Sequence, residues 1–318
     1  MRLAALIISC AVPATAQDFL LDLPIDCTPG DDCYIQNYVD HDPSDRAQDY
    51  RCGHLTYDTH KGTDFALPSR AAMDVGVDVL AAAAGTVQAV RSNMADAYFT
   101  PERAAEIGPR ECGNGVVLLH GDGWETQYCH MKQGSVTVAP GDEVAAGDVI
   151  GQVGLSGRTQ FPHVHLSLRR NGEVVDPFDR DGEILCSTPA DETLWREVPD
   201  TAPGGVIAVG FADHVPDFDA VKAGTAAAET LVADAPIVFW GLAFGAEPGD
   251  VIGIRIDGPE GPTFETQDVL DRRQALVMRA GGLRAPNRGW PSGEYVGSVS
   301  HSRDGAELSR RTARITLP

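Results

Sequence analysis

Five residues carry the chemistry that this sequence can do: His60, Asp64, His130, His163 and His165. His60-Lys61-Gly62-Thr63-Asp64 sets an imidazole and a carboxylate four residues apart, with Gly62 between them to permit a tight bend. His163-Val164-His165 opens the run His-Val-His-Leu-Ser-Leu-Arg, which alternates as a strand does. Side chains at i and i+2 of a strand leave the same face, so both imidazoles point one way. Pro162 just before them suits a strand start. A catalytic zinc takes three protein ligands and keeps one position for water. His60, Asp64 and one of His163 and His165 make such a set, leaving the ion Lewis acidic enough to ionise its water near neutral pH. The other histidine of the pair and His130 then fit a base for the water proton and a donor for the developing oxyanion. If His130 faces that site, alternation turns Cys129 to the opposite side, towards the core or a disulfide. His41, His54 and His120 are read as turn or surface residues, and His214 and His301 as surface residues.

These side chains need elements to hold them. Between residues 60 and 178, short apolar and β-branched runs at 75–80, 85–90, 116–120, 126–130, 149–153 and 163–169 are separated by glycine-containing turns. That spacing predicts a mostly antiparallel β domain. Residues 92–110 interrupt it with a polar, alanine-rich stretch, read as a long loop with a helical turn. Residues 17–58 are rich in Asp, Pro and Gly and form an irregular N-terminal wrap pinned by Cys27, Cys33 and Cys52. Residues 187–205 hold Pro189, Pro199, Pro203 and Gly204-Gly205 and read as a linker. Beyond it, runs at 206–211, 237–244, 251–256, 294–299 and 314–317, with turns at Asp257-Gly258 and Asp304-Gly305, predict a small β-sandwich-like accessory domain over 206–318. The whole is therefore mainly β, with the catalytic candidates confined to a compact domain over 59–186.

The bulk numbers exclude some partners. A formal charge of −21 over 318 residues argues against nucleic acid and against an anionic membrane surface. Hydrophobic residues make up 43% of the chain, enough for a sizeable core. Residues 1–16 read as a signal peptide: Arg2, an apolar run over 3–12, then Ala14-Thr15-Ala16 as the cleavage pattern. Ile7-Ile8-Ser9-Cys10 also resembles a lipobox, ranked below simple cleavage after Ala16. No later segment is long and apolar enough for a transmembrane helix. Six cysteines follow Cys10, namely Cys27, Cys33, Cys52, Cys112, Cys129 and Cys186. An even set in an exported chain reads as disulfides, in any of 15 pairings.

The motifs together resemble a known family. In order they are His60-Lys61-Gly62-Thr63-Asp64-Phe65-Ala66, Ala84-Gly85-Thr86-Val87, Gly113-Asn114-Gly115-Val116-Val117, Tyr128-Cys129-His130-Met131, Gly147-Asp148-Val149-Ile150-Gly151, Ser156-Gly157, His163-Val164-His165 and Val175-Asp176-Pro177. This set resembles the lysostaphin-like (LytM-type) zinc metallopeptidases, peptidoglycan endopeptidases with the duplicated hybrid motif fold, over residues 59–178. The resemblance implies one zinc per chain held by His60, Asp64 and His165, with His163 as general base and His130 steadying the transition state. It implies a compact antiparallel β fold crossed by a groove, and Tyr128, two residues before His130, aimed at the same cleft. The implied substrate is the peptide stems or cross-links of peptidoglycan, D-alanyl ones in a diaminopimelate-type wall, and the location periplasmic or secreted. His-Val-His and Tyr-Cys-His-Met replace the family's more usual His-Leu-His and Tyr-Ala-His-Leu. Two other readings compete: a non-catalytic wall-binding regulator of an amidase, and an extracellular protease acting on proteins. All five site residues are present, which favours activity over the regulator.

Overall fold

A computed structural model describes residues 19–184, 186 and 193–318. The signal-peptide and lipobox readings therefore fall outside the described residues, as do residues 187–192 of the expected linker. In chain order the first strands are β1 (Tyr34–Asn37), β2 (Thr63–Ala66), β3 (Asp78–Leu80), β4 (Gly85–Arg91), β5 (Asn114–Gly121), β6 (Trp124–Met131), β7 (Glu143–Val144), β8 (Val149–Gln152), β9 (His163–Arg170) and β10 (Glu173–Val174). They build an antiparallel sheet in the order β1-β2-β9-β6-β5-β4-β7, with β10 on β9, and a separate β3–β8 ribbon.

Alternation decides the two faces of this sheet. Val164, Leu166 and Leu168 of β9 are at most 1% exposed and pack with Val116 and Leu118 of β5 and with Val79 and Ile150 of the ribbon. The intervening His163, His165, Ser167 and Arg169 line a cavity on the opposite face. A one-residue slip would exchange the two sets, so core burial fixes the register that presents the histidines.

Local chemistry moves some boundaries. The run at 75–80 is not one strand: helix α1 (Arg70–Val75) is capped by Ser69, whose hydroxyl accepts from the Ala72 N–H, and ends at Gly76 with φ +100°. Only β3 follows as strand. The insertion at 92–110 carries a 3-10 turn (Pro101–Arg103) and one helical turn, α2 (Ala104–Ile107). The N-terminal wrap is less irregular than its composition suggests, because β1 adds an edge strand to β2. Cys27–Cys33 closes a short loop in the wrap, Cys52–Cys186 ties it to the far end of the domain, and Cys112–Cys129 closes the open end of the β5–β6 hairpin.

The C-terminal region comprises β11 (Gly205–Ala212), α3 (Phe218–Ala223), β12 (Ile237–Ala246), β13 (Val251–Gly258), β14 (Gly261–Val269), β15 (Gln274–Leu283), β16 (Gly293–Arg303) and β17 (Ala306–Leu317). Sheets β11-β12-β15 and β14-β13-β16-β17 enclose a core that includes Val206, Phe239, Ile254 and Val299, as a sandwich does. Asp304-Gly305 forms a hairpin tip with φ +52° and +80°. The other expected turn is displaced: Gly258 pairs with Gly261, so Pro259-Glu260 is the tip.

Residues 193–195, 204 and 205 are buried, while residues 196–203 between them are exposed or half-buried. Leu194 and Trp195 are buried, and Leu21 exchanges backbone bonds with Leu194 and Arg196 at 2.8 and 2.9 Å. Ile207, Trp240, Leu242 and Phe244 join the same core as the first sheet, and Phe244 meets the Tyr34 ring at 4.7 Å. The two regions therefore share one continuous core.

His301 is a correction. Its place on β16 turns it inward, fully buried, and its Nε2–H donates to Asp250 Oδ2 at 2.8 Å. Arg303 donates to both oxygens of Asp250 at 2.8 and 2.9 Å. His214 is exposed, as expected. Burial alone would raise the Asp250 pKa, but Arg303, the Glu247 N–H and His301 outweigh it and bring it down to about 2. A depressed carboxylate stabilises the fold above its unfolded pKa, and that contribution is lost as pH falls through the folded value. Asp250→Asn is expected to cost about 2 kcal/mol at pH 6, with the difference from wild type shrinking between pH 4 and 2 in urea unfolding. An equal difference at both ends would contradict it.

Candidate metal centre

The β2–β9 pairing sets Asp64 directly opposite His165, and Ala66 opposite His163. His60 enters from the turn before β2, where its N–H donates to the Tyr57 carbonyl at 3.0 Å. Gly62 serves close approach rather than a bend: a Cβ there would lie 2.5 Å from the Leu166 carbonyl and 2.6 Å from His165 Nε2. Three ligand atoms consequently meet. His60 Nε2 lies 3.2 Å from Asp64 Oδ1 and 3.1 Å from His165 Nδ1, and His165 Nδ1 lies 2.8 Å from Asp64 Oδ1. Atoms about 2.0–2.1 Å from a tetrahedral zinc are separated by roughly 3.3 Å, so the donor set fits such an ion. Two imidazole nitrogens this close also call for a proton or a cation between them. His60, Asp64 and His165 are thus able to hold a metal.

Each ligand is gripped from behind, the arrangement that orients metal ligands and raises their basicity. His60 Nδ1–H donates to the Tyr38 carbonyl at 2.6 Å, and Asn37 Nδ2 donates to Asp64 Oδ2 at 2.8 Å. His165 Nε2 meets Ser167 Oγ at 2.9 Å. Two of these grips come from β1 and the residue after it, in the wrap. Asn37 and Tyr38 went unseen in the sequence because nothing in their types announces contact with residues 60 and 64. Ser167 went unnamed too, although it continues the i, i+2 series of His163 and His165.

The other two histidines flank the cluster. His163 Nδ1–H donates to the Phe161 carbonyl at 2.9 Å, and its Nε2 lies 3.4 Å from Asp64 Oδ1. His130 Nδ1–H donates to the Ser156 carbonyl at 2.8 Å, and its ring centroid is 4.6 Å from that of His163. Both hydrogen bonds leave Nε2 as the nitrogen turned from the backbone. Burial opposes the charge on Asp64, yet His60 and His163 hold its carboxyl well below the usual range. Burial lowers the His60 pKa and Asp64 raises it, with the rise prevailing. His165 is lowered by burial despite Asp64, and His130 is driven well down by burial and by its neighbours His163 and His165.

Two expectations about β6 fail together. Register shifts between Asn114 and Val116 of β5, where β6 carries an extra residue, and His130 sits in that bulge with φ +61°. The bulge breaks alternation, so Cys129 and His130 both line the cavity rather than facing opposite ways. Tyr128 points into the core, fully buried, with its hydroxyl accepting from the Ala82 N–H at 2.7 Å. It does not reach the cleft.

Among the remaining histidines, His54 is exposed and lines the cavity. His41 is not a free surface residue, because its Nε2 donates to buried Asp176 at 2.8 Å. His120 is half-buried between the Ala84 carbonyl and Thr126 Oγ1. Cys27, Asp32 and Cys33 also cluster, but both sulfurs are spent in a disulfide.

The cavity of about 1350 Å³ has three walls. The sheet and the turn before it supply the metal cluster, the wrap supplies residues between Gln36 and Asp58, and the C-terminal region supplies Gly245–Glu247, Arg273–Leu276 and Lys222.

The profile of Peptidase family M23 matches residues 58–177. The chain is 29% identical over 133 residues to the peptidoglycan DD-endopeptidase ShyA of Vibrio cholerae, covering 42% of this chain and 25% of that one. It is 33% identical over 122 residues to the DD-carboxypeptidase/endopeptidase Mpg of Neisseria meningitidis, covering 38% and 23%. It thus spans about a quarter of the length of these relatives. Among solved structures, the catalytic domain of lysostaphin from Staphylococcus simulans aligns with 25% identity and a TM-score of 0.26, covering 37% of this chain and 76% of that one.

Removing the grip on Asp64 tests the geometry. Asn37→Ala is expected to weaken Zn2+ affinity by about 10- to 100-fold in competition with a chelating dye. Unchanged affinity would show that Asn37 does not orient the carboxylate.

Proposed function

Residues 58–177 belong to Peptidase family M23, and from that premise we propose that the chain is a zinc-dependent endopeptidase that cuts the peptide stems or cross-links of peptidoglycan. The observation that carries this reading is the convergence of His60 Nε2, Asp64 Oδ1 and His165 Nδ1 within 3.2 Å of one another beside an open cavity. When bound, zinc supplies the Lewis acidity that makes water nucleophilic near neutral pH.

The chain's own residues divide the remaining work. His163 keeps its proton on Nδ1, against the Phe161 carbonyl, so Nε2 presents a lone pair beside the cluster and accepts the proton of the attacking water. His130 likewise keeps its proton on Nδ1, against Ser156. Its Nε2 donates to an oxyanion only after gaining a proton there, so its role falls after proton transfer has begun. The cavity walls then hold an extended peptide across this pair.

The setting supports the reading. Three disulfides suit an oxidising compartment, in keeping with export directed by residues 1–16. Among the described residues no helix is long and apolar enough to cross a membrane.

Release of peptides from purified sacculi, followed by mass analysis, tests the activity. Release that stops on zinc chelation supports it, and no release from zinc-loaded protein contradicts it. His165→Ala is expected to lose zinc. His163→Ala is expected to keep zinc and lose about 10²- to 10⁴-fold in turnover, and full activity there would remove the base assignment.

A further inference from the structure

The C-terminal wall of the cavity carries two arginines in opposite states. Arg303 is wholly engaged: Nε and Nη2 bond Asp250, Nη2 also reaches the Gly245 carbonyl at 2.7 Å, and Nη1 reaches the Pro203 carbonyl at 3.3 Å. Arg273 is held by one edge only. Its Nε donates to both oxygens of Glu247 at 3.0 Å, while its two Nη groups have no partner among the described residues. Its side chain is 52% exposed and lines the same cavity as the metal cluster. The neighbouring Gln274 lines it too, and its side-chain amide also lacks a partner among the described residues.

The backbone turns behind this guanidinium are tied together. Buried Asp250 accepts from the Glu247 N–H at 2.8 Å, which fixes the turn that presents the Glu247 carboxylate. Gly249 N–H donates to the Leu270 carbonyl and Leu270 N–H to the Asp250 carbonyl, both at 2.8 Å, tying the Arg273 turn to the Glu247 turn. One residue beyond Gln274, the Ala275 carbonyl accepts from Gln36 Nε2 at 3.4 Å. Gln36 precedes Asn37, the residue that grips Asp64. The wall is thus connected to the metal cluster through a single strand of the wrap.

A guanidinium pinned at Nε leaves its two-nitrogen fork for a planar, bidentate acceptor. We propose that Arg273, flanked by Gln274, is a carboxylate subsite of the cavity, which selects peptides bearing a free acid group. The proposal rests on the peptidase reading for its setting, since a peptide in the cavity is what brings a carboxylate there. Although the chain carries a formal charge of −21, basic side chains outnumber acidic ones in the cavity lining, Arg273 among them, which suits an acid group there. Glu247 neutralises part of the charge of Arg273 but leaves the directional donors open, which favours a carboxylate over phosphate or sulfate.

Binding tests this without requiring turnover. Muropeptide dimers, as free acids and after amidation of their carboxylates, are titrated calorimetrically into the zinc-loaded full chain carrying His163→Ala. The free acid is expected to bind about tenfold more tightly than the amide, a preference of the size a half-exposed charged hydrogen bond gives. Adding Arg273→Ala is expected to reduce that ratio to about one. Arg273→Lys is expected to keep only part of it, because an ammonium cannot make the paired contact. A preference that survives Arg273→Ala, or no preference in the parent, overturns the subsite. Failure to release peptides from sacculi would instead refute the peptidase reading, and the binding ratio would still decide the role of Arg273.

Discussion

The pairing of β2 with β9 is the constraint on which the site depends. It places Asp64 across from His165 and leaves His163 one pair further along, so two strands deliver three of the five site residues. Register is not free to vary, because a one-residue shift would drive Val164, Leu166 and Leu168 into the cavity and bury the histidines. The same pairing puts a carboxylate only 2% exposed beneath three imidazoles. A buried charge of that kind is costly without partners, and here every side-chain oxygen has one.

The two flanking regions are part of this architecture rather than appendages. The wrap contributes the Asn37 and Tyr38 contacts behind Asp64 and His60, and Cys52–Cys186 ties it down across 134 residues of sequence. The C-terminal sandwich shares a core with the first sheet and closes the third side of the cavity. The cavity has three walls, of which the match to Peptidase family M23 covers mainly one, so about half of the lining lies outside residues 58–177.

How far the sequence could be read follows the range of the interactions. The mainly β class, the strands at 116–120, 126–130 and 163–169, and the turn at Asp304-Gly305 rest on periodicity and turn chemistry within a few residues, and they were legible. The pairing of the six cysteines was not, since connectivity depends on the folded path. The directions of Tyr128 and Cys129 were misread because alternation holds only while a strand is regular and the bulge at His130 breaks it, although the disulfide expected as one role for Cys129 is present. His301 was misread as a surface residue because its partner Asp250 lies 51 residues away. Residues 193–205 have the Pro and Gly content of a linker, yet the apolar pair Leu194-Trp195 anchors the start of that segment in the core.

The measurement that most directly tests the account is a crystal structure of the zinc-loaded full chain, with anomalous scattering recorded on both sides of the zinc edge. One zinc per chain is expected, bound through His60 Nε2, Asp64 Oδ1 and His165 Nδ1, with His163 and His130 outside its coordination sphere. Zinc at another place, or His163 or His130 among its ligands, would contradict it.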